Sequence, residues 1–124
     1  MATPREHREK AVHNERFLQV RNVTTGEFID WAVTVLFYSA LHWMRALAAQ
    51  EGYQIKSYQE EEKAFQDVPT FAQDQQAYAC YRQLKDESRD ARYEVKEFSA
   101  ADFRDLQQNF FNPFKSFVTS KLLP

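Results

Sequence analysis

Nineteen residues, Trp31 to Ala49, form an almost unbroken apolar run in a chain of 124. A segment this apolar around its whole helical circumference has to be buried, in the middle of a helical bundle or in a lipid bilayer. The run contains His42 and Arg45, and Asp30 stands directly before it. A charge in the inner third of a spanning helix costs about 2.5–3.5 kcal/mol on insertion scales. The run therefore reads as the central helix of a bundle and not as a membrane span. Length points to one compact helical-bundle domain over 1–124. Only 2 Gly and 4 Pro punctuate the chain, too few for the turns of an all-β fold, while 11 Phe and 6 Tyr supply a core.

Helix starts recur as a side-chain oxygen followed three residues later by an acid or amide, the capping-box pattern that satisfies two orphan backbone N–H groups. Thr3–Glu6, Thr24–Glu27, Ser57–Glu60 and Thr70–Gln73 carry it, and Ser99–Asp102 is a weaker version. Pro4 suits a first helical position. Gly52 suits a left-handed C-terminal stop, and Asp67-Val68-Pro69 ends the third segment. Pro113 falls inside the last pattern and should kink or restart it, with Asn112 as the new cap. The predicted helices span 4–22, 28–51, 58–66, 71–96 and 100–122. This is an all-α, up-and-down four-helix bundle with one extra short helix.

In the fourth helix Ala77, Tyr81, Leu84, Ser88, Ala91 and Val95 step by fours and threes. They make an apolar seam of largely small residues that a neighbouring helix can approach closely. One residue ahead, Arg82, Lys85, Arg89, Arg92 and Lys96 make a basic stripe about 100° round the same helix. Arg82, Lys85 and Lys96 are assigned to ion pairs with Asp86, Glu87, Asp90 and Glu94 at helical spacings. Arg89 and Arg92 stand open to either such pairing or phosphate contact. They flank small residues, and Tyr93 adds a hydroxyl and a stacking face. His42 reads as a core histidine or as a polar group facing those arginines across the bundle. His13 and Asn14 read as a buried polar pair or a site margin, and His7 as a solvated surface residue.

The spacing of His7, His13, His42 and Cys80 fits no tetrahedral metal site, and Glu60, Glu61 and Glu62 spread around a helix. No glycine-rich phosphate loop is present. The expectation is therefore no metal and no cofactor. Net charge is −2, so any nucleic-acid contact should be local. A single cysteine suits a reducing cytoplasm, and the charged stretch Met1 to Lys10 contains no apolar signal region.

His13-Asn14, the stretch from Asp30-Trp31-Ala32-Val33 to Phe37-Tyr38-Ser39-Ala40-Leu41-His42, and Ser88-Arg89-Asp90-Ala91-Arg92-Tyr93 together resemble the HEPN superfamily of helical nucleotide-binding domains. The resemblance covers nearly the whole chain. It implies a homodimer whose fourth-helix arginines line a shared cleft, and a prokaryotic defence or toxin–antitoxin setting. Active members are metal-independent endoribonucleases in which a histidine follows the arginine by four to six residues. Here Arg89-Asp90 matches the first half of that motif, while Tyr93, Glu94, Val95 and Lys96 occupy the histidine positions. The leading expectation is a module that binds RNA or a nucleotide through Arg89, Arg92 and Tyr93, with His13 and Asn14 at the margin. An endoribonuclease ranks second, with Arg89 and Arg92 stabilising the phosphate and His42 or Tyr93 handling protons. An interaction module, such as the partner of a nucleotidyltransferase-type antitoxin, ranks third.

Overall fold

The computed structural model describes residues 2–124, so Met1, the first residue of the expected domain, lies outside the described residues. All regular structure among them is helical. In chain order the elements are α1 (Pro4–Phe17), α2 (Ile29–Gln50), α3 (Tyr58–Asp67), the one-turn α4 (Pro69–Ala72), α5 (Gln75–Tyr93), α6 (Ala100–Leu106), a π turn (Gln107–Phe111) and α7 (Asn112–Lys121).

Helix α2 is the core. Ala32, Leu36, Phe37, Ala40, Met44 and Leu47 are all closed to solvent, and α1, α5, α6 and α7 pack around it. It is long and apolar enough to cross a membrane, but 72% of its most apolar window is covered by the rest of the chain. Burying each large side chain contributes about 1.5–3 kcal/mol. Phe37, Phe65, Phe71, Tyr81 and Phe114 then build an aromatic cluster between α2, α3, α4, α5 and α7, with ring centroids 4.7–6.3 Å apart.

Several expected caps form. Thr3 and Glu6 exchange both bonds of a capping box, as do Ser99 and Asp102. Ser57 accepts from Glu60 N–H at 3.2 Å. Gly52 takes φ 91°, and the Gly52 and Tyr53 N–H groups close the end of α2 on the Ala49 and Ala48 carbonyls.

The box at Ser57 is only half made, because the Glu60 carboxylate accepts from Lys56 N–H at 2.8 Å, and the boxes at Thr24 and Thr70 do not form at all, each for a local cause. Asn22 turns left-handed at φ 67°, and Gly26 N–H bonds its carbonyl at 2.8 Å. A Cβ at Gly26 would come within 2.6 Å of that oxygen. This tight turn takes up Thr24 to Glu27, so α1 stops at Phe17 and α2 starts at Ile29 behind an uncapped Phe28. Thr70 instead donates its hydroxyl to Glu51. The charged Asp74 caps α5 by accepting from Ala77 N–H at 3.0 Å, so the fourth helix begins at 75, not 71.

That helix also ends early, at Tyr93, and Val95 leaves the seam to become fully exposed. Lys96 folds back onto Glu87 and Asp90, at 2.9 and 3.5 Å, and holds the departing chain. Pro113 does not restart the helix from an Asn112 side-chain cap. Asn112 stays helical at φ −60°, and its N–H reaches back to Gln107 across the wide π turn, which absorbs the proline.

One charged side chain is fully enclosed. Glu61 of α3 is 0% exposed and accepts from Arg45 of α2 at 2.9 Å and from the Tyr81 hydroxyl of α5. Burial, then Glu61, pushes the Tyr81 hydroxyl well above its usual range, so it stays a donor. Removing one partner of a buried pair strands the other. Glu61→Ala should therefore lower the unfolding free energy by about 3–5 kcal/mol in urea titrations. Lys63→Ala removes an exposed 4.0 Å pair with Asp67 and should cost less than about 0.5 kcal/mol.

Candidate functional site

The rotation of α5 is set by its buried seam. Ala77, Tyr81, Leu84 and Ser88 are all at or below 4% exposure, and Tyr81 packs on Phe37 of α2 at 5.5 Å. With that face turned inward, the basic stripe one residue ahead comes to border α3. The two helices enclose a cleft of about 630 Å³, lined by Tyr58, Glu62, Arg82, Lys85, Asp86, Arg89, Arg92 and Tyr93.

The cations of the stripe fall into two classes. Arg82 pairs with Asp86 at 3.2 Å and Glu62 at 3.6 Å, and donates to the Tyr78 hydroxyl at 3.2 Å. Lys85 donates to Glu62 at 3.2 Å and lies over the Tyr58 ring at 5.1 Å. Burial pushes the Glu62 carboxyl up, but bonds from Tyr78 and Lys85 outweigh it and hold the group below the usual carboxylate range. Lys96 is taken by Glu87 and Asp90, outside the cleft.

Arg89 and Arg92 have no carboxylate partner among the described residues. Arg92 donates to the Tyr38 hydroxyl of α2 at 3.3 Å, and its guanidinium lies 5.7 Å from the Tyr38 ring and 5.4 Å from the Tyr93 ring. Two aromatic faces thus steady a planar fork of donors. Its Nε is buried with no hydrogen-bond partner among the described residues, and so is Ser88 Oγ one turn back. A buried donor without an acceptor costs about 1–3 kcal/mol. Tyr93, the last residue of α5, is 75% exposed and presents its ring at the cleft mouth.

His42 is placed elsewhere. It does not line the cleft, and its Nδ1 lies 3.1 Å from Nδ1 of His7 on α1, with the rings stacked at 5.4 Å. One ring donates and the other accepts, so both cannot carry the same tautomer. Burial comes first, then the charges of His7, Arg45 and Lys10, in pulling His42 down to about 4. Burial and then Arg45 lower His7, with Glu6 opposing. His7, expected in solvent, is therefore part of the α1–α2 contact. His13 is exposed rather than a buried partner of Asn14, and neither lines the cleft. Half-buried Asn14 shares the α1 face of His7 and Ala11.

Nothing in the local pattern of the chain marks Tyr58 or Glu62 as site residues, and Tyr38 is marked only by its place on α2. Tyr38 lies four residues before His42 and seven before Arg45, and that helical stripe was the available signal. Tyr58 and Glu62 stand four apart on α3, but only the packing of α3 against α5 shows where they face. Comparisons with known protein families, curated proteins and solved structures give no match.

The histidine pair gives the fold a pH dependence of definite sign. Both rings have folded-state values below the ordinary 6.5, so the unfolded chain binds more protons. Their stabilisation is present above pH 6.5 and is lost as pH falls towards about 4. Discounted for a partly open site, the His42 contribution is about 1–2 kcal/mol. The thermal midpoint should fall less between pH 7 and pH 4.5 in His42→Gln than in the parent chain. Equal pH slopes in the two proteins would show that the pair titrates normally.

Proposed function

We propose that this chain is a HEPN-like domain, an up-and-down four-helix bundle with one extra short helix, that binds RNA or a nucleotide in the α3–α5 cleft. The observation that carries the reading is the sorting of the cations. Arg82, Lys85 and Lys96 have carboxylate partners, whereas Arg89 and Arg92 do not. Two guanidinium groups three residues apart on one helix can reach a single phosphate, and arginine's fork suits bidentate phosphate contact. Tyr58 and Tyr93 offer stacking faces beside them, as single-stranded nucleic-acid sites commonly do.

Binding is favoured over cleavage by the position of His42. A general acid or base must lie within hydrogen-bond reach of the reacting oxygen. His42 instead hydrogen-bonds His7. Burial also raises the Tyr58 hydroxyl above its usual range, which makes it a poor base. The setting inferred from the resemblance is a cytoplasmic prokaryotic defence or toxin–antitoxin system. A homodimer fits Phe28 and Trp31, which are 60% and 57% exposed where α2 begins and line one surface groove with the exposed Phe17.

Fluorescence anisotropy with a short single-stranded RNA tests the binding reading. Arg89→Ala and Arg92→Ala should each weaken binding about tenfold and reduce the salt slope by about one, while Lys96→Ala stays within about twofold. Equal weakening by Lys96→Ala would point to diffuse attraction rather than to this cleft. Light scattering should give twice 14.7 kDa, and Phe28→Asp with Trp31→Asp should return it to the monomer mass. A parent chain that is already monomeric contradicts the dimer.

A further inference from the structure

We infer that the cleft reads one phosphomonoester attached to one nucleoside, in preference to a triphosphate or an internal phosphodiester. This rests on the nucleotide-binding reading above and adds the class of ligand. The cleft has two electrostatic halves. Towards the start of α5, the two cations Arg82 and Lys85 are matched by the two carboxylates Glu62 and Asp86. Towards its end, Arg89 and Arg92 bring two positive charges with no carboxylate partner among the described residues, Asp90 between them in the chain being turned to Lys96, and the buried Arg92 Nε has no acceptor among those residues.

A terminal phosphate carries about −1.5 to −2 at neutral pH, which matches the open half. A diester carries about half that charge. The further phosphates of a triphosphate would extend into the neutralised half and meet Glu62 and Asp86 at close range. Size agrees. About 630 Å³ is in the range that encloses a small-molecule ligand and is too small for a duplex. Lys85 covers one face of the Tyr58 ring, and the ring of Tyr93 is largely open, which leaves room for one stacked base.

Calorimetry on the full chain tests this with AMP, ATP and inorganic phosphate. The same ten-nucleotide RNA is added in three forms: 5′-phosphorylated, 3′-phosphorylated and with hydroxyls at both ends. AMP should bind at least threefold tighter than ATP and at least tenfold tighter than inorganic phosphate. If the source of the phosphate is an RNA end, one phosphorylated RNA should bind at least tenfold tighter than the hydroxyl-ended form. If it is a free nucleotide, AMP should outbind all three RNAs. Either result supports the inference, and Arg92→Ala should abolish the preference. Glu62→Gln with Asp86→Asn should raise ATP affinity relative to AMP at least fivefold. ATP binding as tightly as AMP or tighter in the parent chain, or AMP and all three RNAs binding alike, overturns the inference and leaves the parent reading standing. No binding by any ligand removes both.

Discussion

Glu61 has no access to water, and its two carboxylate oxygens join three helices. Arg45 reaches one from α2, and Tyr81 reaches the other from α5. A carboxylate enclosed in this way is costly unless both oxygens are satisfied, so the contact holds α3 against both neighbours at one register. That register puts Tyr58 and Glu62 opposite Arg92, Arg82 and Lys85. Without it α3 would retain its apolar face, chiefly Ala64 and Phe65, and the part-exposed bonds of Glu62 to Tyr78, Arg82 and Lys85, which are weaker than an enclosed pair.

Helix α2 adds the second constraint. Most of it is buried, but Tyr38, His42 and Arg45 form a partly open stripe, and each reaches a different helix. Tyr38 meets Arg92 of α5, His42 meets His7 of α1, and Arg45 meets Glu61 of α3. The stripe therefore separates two basic groups that share the same core helix. The histidine pair faces α1 and carries the pH dependence of the fold, while the arginine pair faces α3 and carries the proposed binding.

How much of this could be read from the chain depends on the range of each interaction. The all-helical class follows from periodicity and from the length of the apolar run, both local properties. The caps at Thr3, Ser57 and Ser99 are local as well. Thr24 and Thr70 carry the same pattern, yet the Asn22–Gly26 turn and the stronger Asp74 cap took precedence, because a capping box contributes only about 1 kcal/mol. Ser88, Arg89, Arg92 and Tyr93 lie within two turns of one helix, so their division into an inward seam and an outward stripe was legible. Pairing between helices was not. Glu61 stands among three consecutive glutamates, and nothing local marks it as the buried one. His7 sits in a polar stretch that reads as surface, and its contact with His42 depends on the rotation of α2 about its own axis.

The proposed binding chemistry belongs to the arginine pair of α5 and not to the histidine pair. Proton–nitrogen correlation spectra of arginine Nε–H and histidine ring groups, recorded while AMP is titrated into the full chain, test it most directly. Arg89 and Arg92 should show saturable shifts with a common dissociation constant, and the His7 and His42 rings should not move. Shifts centred on His7 and His42 with the arginine signals unmoved would contradict it.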